Sequence, residues 1–160
     1  MIAWRITKRR YSSPEIVLSG SGAREQGGRW NETGLSLVYA SENASLALLE
    51  TLVQASLQRL PKSLAIVRIT LPDSLSVRTI AAADLPASWK TIGDNRCTAI
   101  GSEWIRSGAT AVLRVPSAVN PLENNLLLNP AHAAIAKCRV GKPIPLEFDA
   151  RLLSFVRGTR

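Results

Sequence analysis

Hydrophobic positions in this chain come as several short runs and one long one, and the spacing inside each predicts its element. Residues 35–41, LSLVYAS, form a short apolar run bounded by Gly34 and polar residues, which predicts a strand. In 42–61, ENASLALLETLVQASLQRLP, leucines dominate the middle, Asn43 or Ser41 can cap the start and Pro61 closes the end, which predicts a helix. At about 100° per residue, Leu46, Leu49, Val53, Leu57 and Leu60 share an arc of about 80°, with Glu50 about 20° beyond its edge. Leu48 and Leu52 extend the apolar surface round the other side, so burial over most of the girth is expected, and the wheel leaves Glu50 either solvated or lining a cleft. In 63–72, Ala65, Val67, Ile69 and Leu71 alternate onto one face of a strand. A short strand is expected at 76–80 and a loop at 83–89. Cys97, Ile100 and Trp104 predict a helix over 95–108 with Gly108 as its stop. Residues 110–119 read as a strand ended by Pro116, and 144–153 as a last strand. Strands and helices do not alternate regularly, which favours an α+β domain over a doubly wound sheet. With no repeat and no linker, a single domain over 1–160 is expected.

Composition narrows this picture little until charge is considered. At 160 residues and 46% hydrophobic content the chain can bury a core without staples. No apolar run approaches the roughly 18 residues of a membrane span, and the basic start, MIAWRITKRRYSS, lacks the apolar segment of a signal peptide. Cys97 and Cys138 have neither metal-ligand nor redox spacing, so a reduced, cytoplasmic protein without a metal is expected. Twenty Lys and Arg against twelve Asp and Glu give +8, a balance that suits nucleic acid, a phosphorylated ligand or an acidic partner. Only KRR at 8–10 is clustered, so direct nucleic-acid binding is not the favoured reading.

The stretch GAREQGGRWNETG, 22–34, packs four glycines, two arginines and a tryptophan together without an apolar run, and reads as a loop. Gly20 and Gly22 begin a G-x-G-x-x-G that fails at Glu25, and no G-K-[ST] follows, which argues against the standard phosphate loops. Arg29 is an anion ligand in principle, through its two-pronged guanidinium, or a surface arginine. Tyr39 ends a strand, Ser117 follows Pro116 at a strand end, and His132 is the only histidine; each has an ordinary structural use as well. No G-x-S-x-G elbow supports a Ser–His–acid triad.

The order of these features carries more than any one of them. WRIT, SGSGAREQGGRWNETG, LVYAS, LALLE, DLPASW, VPSAVNPLENNLLLNPAH and FDARLL follow one another over residues 4–153 and resemble the successive signatures of the RES-domain toxins of bacterial RES–Xre toxin–antitoxin modules. Leu126 and Ala133 depart from that pattern. The resemblance implies a single RES domain with an ADP-ribosyltransferase-like fold, of mixed small sheets and flanking helices. It implies a toxin that consumes NAD as its substrate, by hydrolysis, phosphorolysis or transfer of ADP-ribose to a protein acceptor, and an Xre-type helix-turn-helix antitoxin as partner. It puts the family's arginine, tyrosine, glutamate and serine at Arg29, Tyr39, Glu50 and Ser117, and its later N-P-x-H signature at Asn129 and His132.

Those residue types suit that chemistry. Nicotinamide leaves a pyridinium linkage as a neutral molecule, so no general acid is required. Positive charge building on the ribose is what needs stabilising, and a carboxylate does this where its interaction strengthens in the transition state. Glu50 is expected in that role, Arg29 on the diphosphate or adjoining ribose, Tyr39 stacked on nicotinamide, Ser117 as a positioning group rather than a nucleophile, and Asn129 among the substrate-binding residues. Trp30 and Asn31 are expected to brace the loop. The rival readings are a basic nucleic-acid-binding module and a non-catalytic interaction domain.

Overall fold

The computed structural model describes residues 1–57, 63–91, 94–149, 151 and 152. Eight strands form one mixed sheet: β1 (Ile2–Lys8), β2 (Val38–Ser41), β3 (Leu64–Thr70), β4 (Val77–Thr79), β5 (Val112–Pro116), β6 (Asn124–Leu128), β7 (Arg139–Val140) and β8 (Ile144–Leu146). Helices α1 (Pro14–Ser19), α2 (Ser21–Gln26), α3 (Ala44–Leu57) and α4 (Arg96–Ser107) flank it. The strand order is β4-β5-β6-β2-β1-β3-β7, with β8 also on β3. Among the described residues only β4 and β5 pair in parallel. This is the α+β arrangement the sequence indicates.

The sheet has a seam. β1 and β3 stay in register over seven pairs, from Ile2↔Thr70 to Lys8↔Leu64, whereas β1 meets β2 at Trp4↔Ser41 alone. Beyond that pair the Arg5 guanidinium takes over, Nη1 donating to the Tyr39 carbonyl at 2.7 Å. Its Nε is buried without a hydrogen-bond partner, and burial pulls the pKa of the group down.

Alternation along the strands builds two cores. Val38, Ala40, Leu126 and Leu128 join Ala3, Val67 and Ile69 on one face, beneath Val17 of α1 and Ile135. Leu113, Val115 and Leu127 face the other way, against Trp30, Leu85, Trp89, Cys97, Trp104 and Ile105. α4 comes very close to the chain at Trp30: a Cβ added to Gly101 would lie 2.0 Å from the Trp30 carbonyl oxygen. Gly108, at φ 59°, ends this helix with its N–H on Trp104 O at 3.3 Å.

Several expectations are corrected. α3 is capped by Asn43, whose Oδ1 accepts from the Leu46 N–H at 2.8 Å. Leu46 and Ala47 are buried, but Leu49 and Val53 are 38% and 44% exposed, so the leucine-rich arc is only partly a core face. The helix packs on β1 and β2 with its Ala47 side turned inward, because the sheet lies on that side alone. The side chain of Leu57, together with Leu60, Pro61 and Leu153, lies outside the described residues. The supposed loop 22–34 begins inside α2, and the last strand ends at Leu146. After it the Asp149 carboxylate accepts from the Arg151 N–H at 2.9 Å, and Arg151 and Leu152 are helical rather than extended. β1, β6 and β7 carry no strong alternation and were not expected as strands. They are strands because neighbours take up their backbone groups.

Candidate active site

Strand parity sets out the site. Tyr39 and Ser41 project from the same face of β2, and the register puts Leu127 and Asn125 of β6 beside them. On this face α3 covers the β1 side, while α4, the 28–31 turn and Trp89 cover the β5–β6 side. The strip between them is the candidate site.

At one end Glu50 of α3 meets the sheet. Its Oε1 accepts from Ser117 Oγ at 2.7 Å and from Asn125 Nδ2 at 2.6 Å. Asn125 is itself oriented, because Ser41 Oγ donates to its Oδ1 at 2.7 Å and leaves the NH2 end facing Glu50. Ser117 is fully buried, and its oxygen accepts from the N–H groups of Val119 and Asn120 at 3.1 and 3.0 Å. With its lone pairs occupied, its proton has one place to go, which is Glu50. This is an orienting hydroxyl and a poor nucleophile. The loop carrying it is fastened to α3 by Asn43 Nδ2, which donates to Glu123 Oε1 at 2.8 Å. Among the described residues Glu50 Oε2 accepts no hydrogen bond.

At the other end Tyr39 fixes the glycine-rich turn. Its hydroxyl donates to Asn31 Oδ1 at 2.8 Å and accepts from the Trp30 N–H at 3.0 Å. A Cβ at Gly28 would lie 2.6 Å from that hydroxyl, so glycine is what lets the turn close over it. Burial pushes the Tyr39 pKa up; the Trp30 N–H and the Arg29 charge oppose this more weakly. Asn31 is 1% exposed, its NH2 shared among the carbonyls of Ala23, Glu32 and Leu35. Arg29 is half-buried, with Nη1 on the Trp89 carbonyl at 2.5 Å and Nη2 on that of Lys90 at 3.4 Å.

The fold thus puts Glu50 in direct contact with Ser117 and gathers Arg29 with Tyr39. Asn129 sits elsewhere, 1% exposed, with Nδ2 on Ile105 O at 3.0 Å and Oδ1 accepting from the Ala131 N–H at 3.1 Å. It ties β6 to α4, four residues or roughly 13 Å along the chain from Asn125. His132 caps a 3-10 turn, its Nδ1 accepting from the Ala134 N–H at 3.2 Å. Asn125 is not singled out by the sequence and Ser41 only as a possible helix cap; the β2–β6 register is what puts both in the site. Among the described residues no group of three or more His, Cys, Asp or Glu is placed to hold a metal ion, and no helix is long and apolar enough to cross a membrane.

The chain is similar in structure to a chain of the M. tuberculosis MbcT–MbcA toxin–antitoxin complex, with a TM-score of 0.76 at 20% identity, covering 99% of this chain and 89% of that one. Sheet order and flanking helices thus follow the fold of that structure, with the Glu50 carboxylate on the strip between α3 and α4. The RES domain model matches residues 2–149, and the chain belongs to that family. It is 38% identical over 153 residues to the Prs ADP-ribosylating toxin of Sphingobium sp. (strain YBL2), covering 94% of this chain and 95% of that protein. It is 36% identical over 154 residues to Toxin Res of Yersinia enterocolitica, covering 95% and 99%.

Proposed function

We propose that this protein is the toxin of a toxin–antitoxin pair and that it cleaves NAD between nicotinamide and ribose. The observation that carries the reading is the asymmetric carboxylate: Glu50 Oε1 is held by two donors while Oε2 has no partner among the described residues. The Oε2 atom accepts from the nicotinamide ribose hydroxyls and stabilises the cation that forms as the C1′–N bond breaks. The bonding pair passes to the pyridinium nitrogen, nicotinamide departs neutral, and the acceptor adds at C1′ and loses its proton to solvent. Ser117 and Asn125 hold the carboxylate still, so it need not reorganise as charge develops. Arg29 holds the diphosphate, and the Tyr39 ring packs on nicotinamide. Asn129 takes a bracing part in this reading, its amide holding the end of β6 to α4.

The name of the Sphingobium relative supports an acceptor on a protein, with water and phosphate as the alternatives. The MbcT–MbcA neighbour supports an antitoxin partner, for which the Xre-type helix-turn-helix class is proposed, and a cytoplasmic reaction is proposed with it. The test is nicotinamide release from NAD by the purified protein, with and without phosphate, beside Glu50→Ala. Release lost at least about tenfold in a folded Glu50→Ala supports the reading. Equal release by that variant removes Glu50 from the mechanism.

A further inference from the structure

We infer that Lys90 forms, with Arg29, a two-cation clamp for the diphosphate of the nucleotide substrate; the inference rests on the NAD-cleaving reading above. Trp89 brings the two cations together. It is 4% exposed, its carbonyl accepts from Arg29 Nη1 at 2.5 Å, and the Lys90 ammonium lies over its ring, 5.5 Å from the centroid. Arg29 Nη2 also reaches the carbonyl of Lys90 itself, at 3.4 Å. One dipeptide therefore anchors the first cation through its carbonyls and bears the second.

Neither cation has a carboxylate partner among the described residues. Asp94, the acid nearest Lys90 along the chain, is occupied: it accepts from the Arg96 side chain, from the Arg96 N–H at 3.0 Å and from Ser88 Oγ at 2.6 Å, and Glu32, the acid nearest Arg29, pairs with Arg106. Arg29 gives two N–H groups to neutral carbonyls and keeps others for a ligand; the ammonium of Lys90 has three donors with an aromatic face below it. Two uncompensated charges of one sign repel, and a doubly charged anion relieves both at once. A diphosphate suits the pair by the chemistry of the two head groups as well as by charge. The planar fork of the arginine suits two oxygens of one phosphate, and the point charge of a lysine suits the other. A nucleoside without the diphosphate makes no use of the clamp, so Lys90 sets the preference for the dinucleotide.

The measurement is calorimetric binding of ADP-ribose to the full chain and to Lys90→Gln and Lys90→Arg, beside steady-state NAD cleavage and a thermal melt. Lys90 is exposed, so both variants fold. Lys90→Gln weakens ADP-ribose about tenfold and raises KM for NAD to match, with kcat within about twofold, as expected for one charge-assisted contact. Lys90→Arg retains most of the affinity. Unchanged ADP-ribose affinity in Lys90→Gln, with the native chain cleaving NAD, overturns the clamp and leaves the proposed activity standing. Equal losses in both variants with a falling kcat mean packing on Trp89 rather than charge, and also overturn it. A native chain that neither binds ADP-ribose nor cleaves NAD overturns clamp and activity together.

Discussion

Asn125→Asp changes one donor into one acceptor with almost no change of shape, at the atom 2.6 Å from Glu50 Oε1. The lost charge-assisted bond accounts for about 1.5–3 kcal/mol. Two ionised carboxylates at that distance repel by about 6 kcal/mol at an effective dielectric constant of about 20. That exceeds four pKa units, so the pair keeps a shared proton and its upper pKa rises far above the ordinary carboxylate range. The sign follows. At about pH 8 the proton is partly lost, and in that fraction the carboxylates push apart and Glu50 leaves its place, so kcat falls severalfold. As pH drops through the raised pKa the proton returns, the introduced acid donates to Glu50, and activity partly recovers. Asn125→Ala loses the donor alone, about 10- to 100-fold, with no recovery in acid. The assay is initial nicotinamide release between about pH 5.5 and pH 8, with circular dichroism to establish folding. A variant with the native rate at about pH 8, or identical pH profiles for the two substitutions, would refute the assigned geometry.

Two further outcomes follow from the same network. Tyr39→Phe keeps the ring but strands Asn31 Oδ1 and the Trp30 N–H, costing about 2–3 kcal/mol in urea unfolding and raising KM for NAD as the Arg29 turn loosens; unaltered stability would show that the hydroxyl does not organise this turn. Ser88, and then the backbone and side chain of Arg96, hold the Asp94 carboxyl down at about 2. Being depressed in the folded state, it supports stability above the ordinary carboxylate pKa, about 4, and that support is lost as pH falls towards 2. Asp94→Asn accordingly flattens the acid limb of an unfolding-versus-pH curve, and an unchanged limb would contradict the capping role.

Local pattern determined the elements whose signals are contained within themselves. The alternation of Ala65, Val67, Ile69 and Leu71, the leucines of α3 behind Asn43, and Trp104 ahead of Gly108 are all short-range features of period and cap. The ordered motifs also pointed to Arg29, Tyr39, Glu50 and Ser117. Sequence could not show that Ser117 and Glu50, 67 residues apart, share a hydrogen bond, or that Asn125 and Ser41 complete it. It could not show that Asn129 is tied to the end of α4 rather than facing the strip beside Glu50. Those facts depend on strand register, and a one-residue slip of β6 against β2 would turn Asn125 to the opposite face. Register is fixed by which side chains both faces can bury at once, a condition on the whole fold that no window of sequence contains.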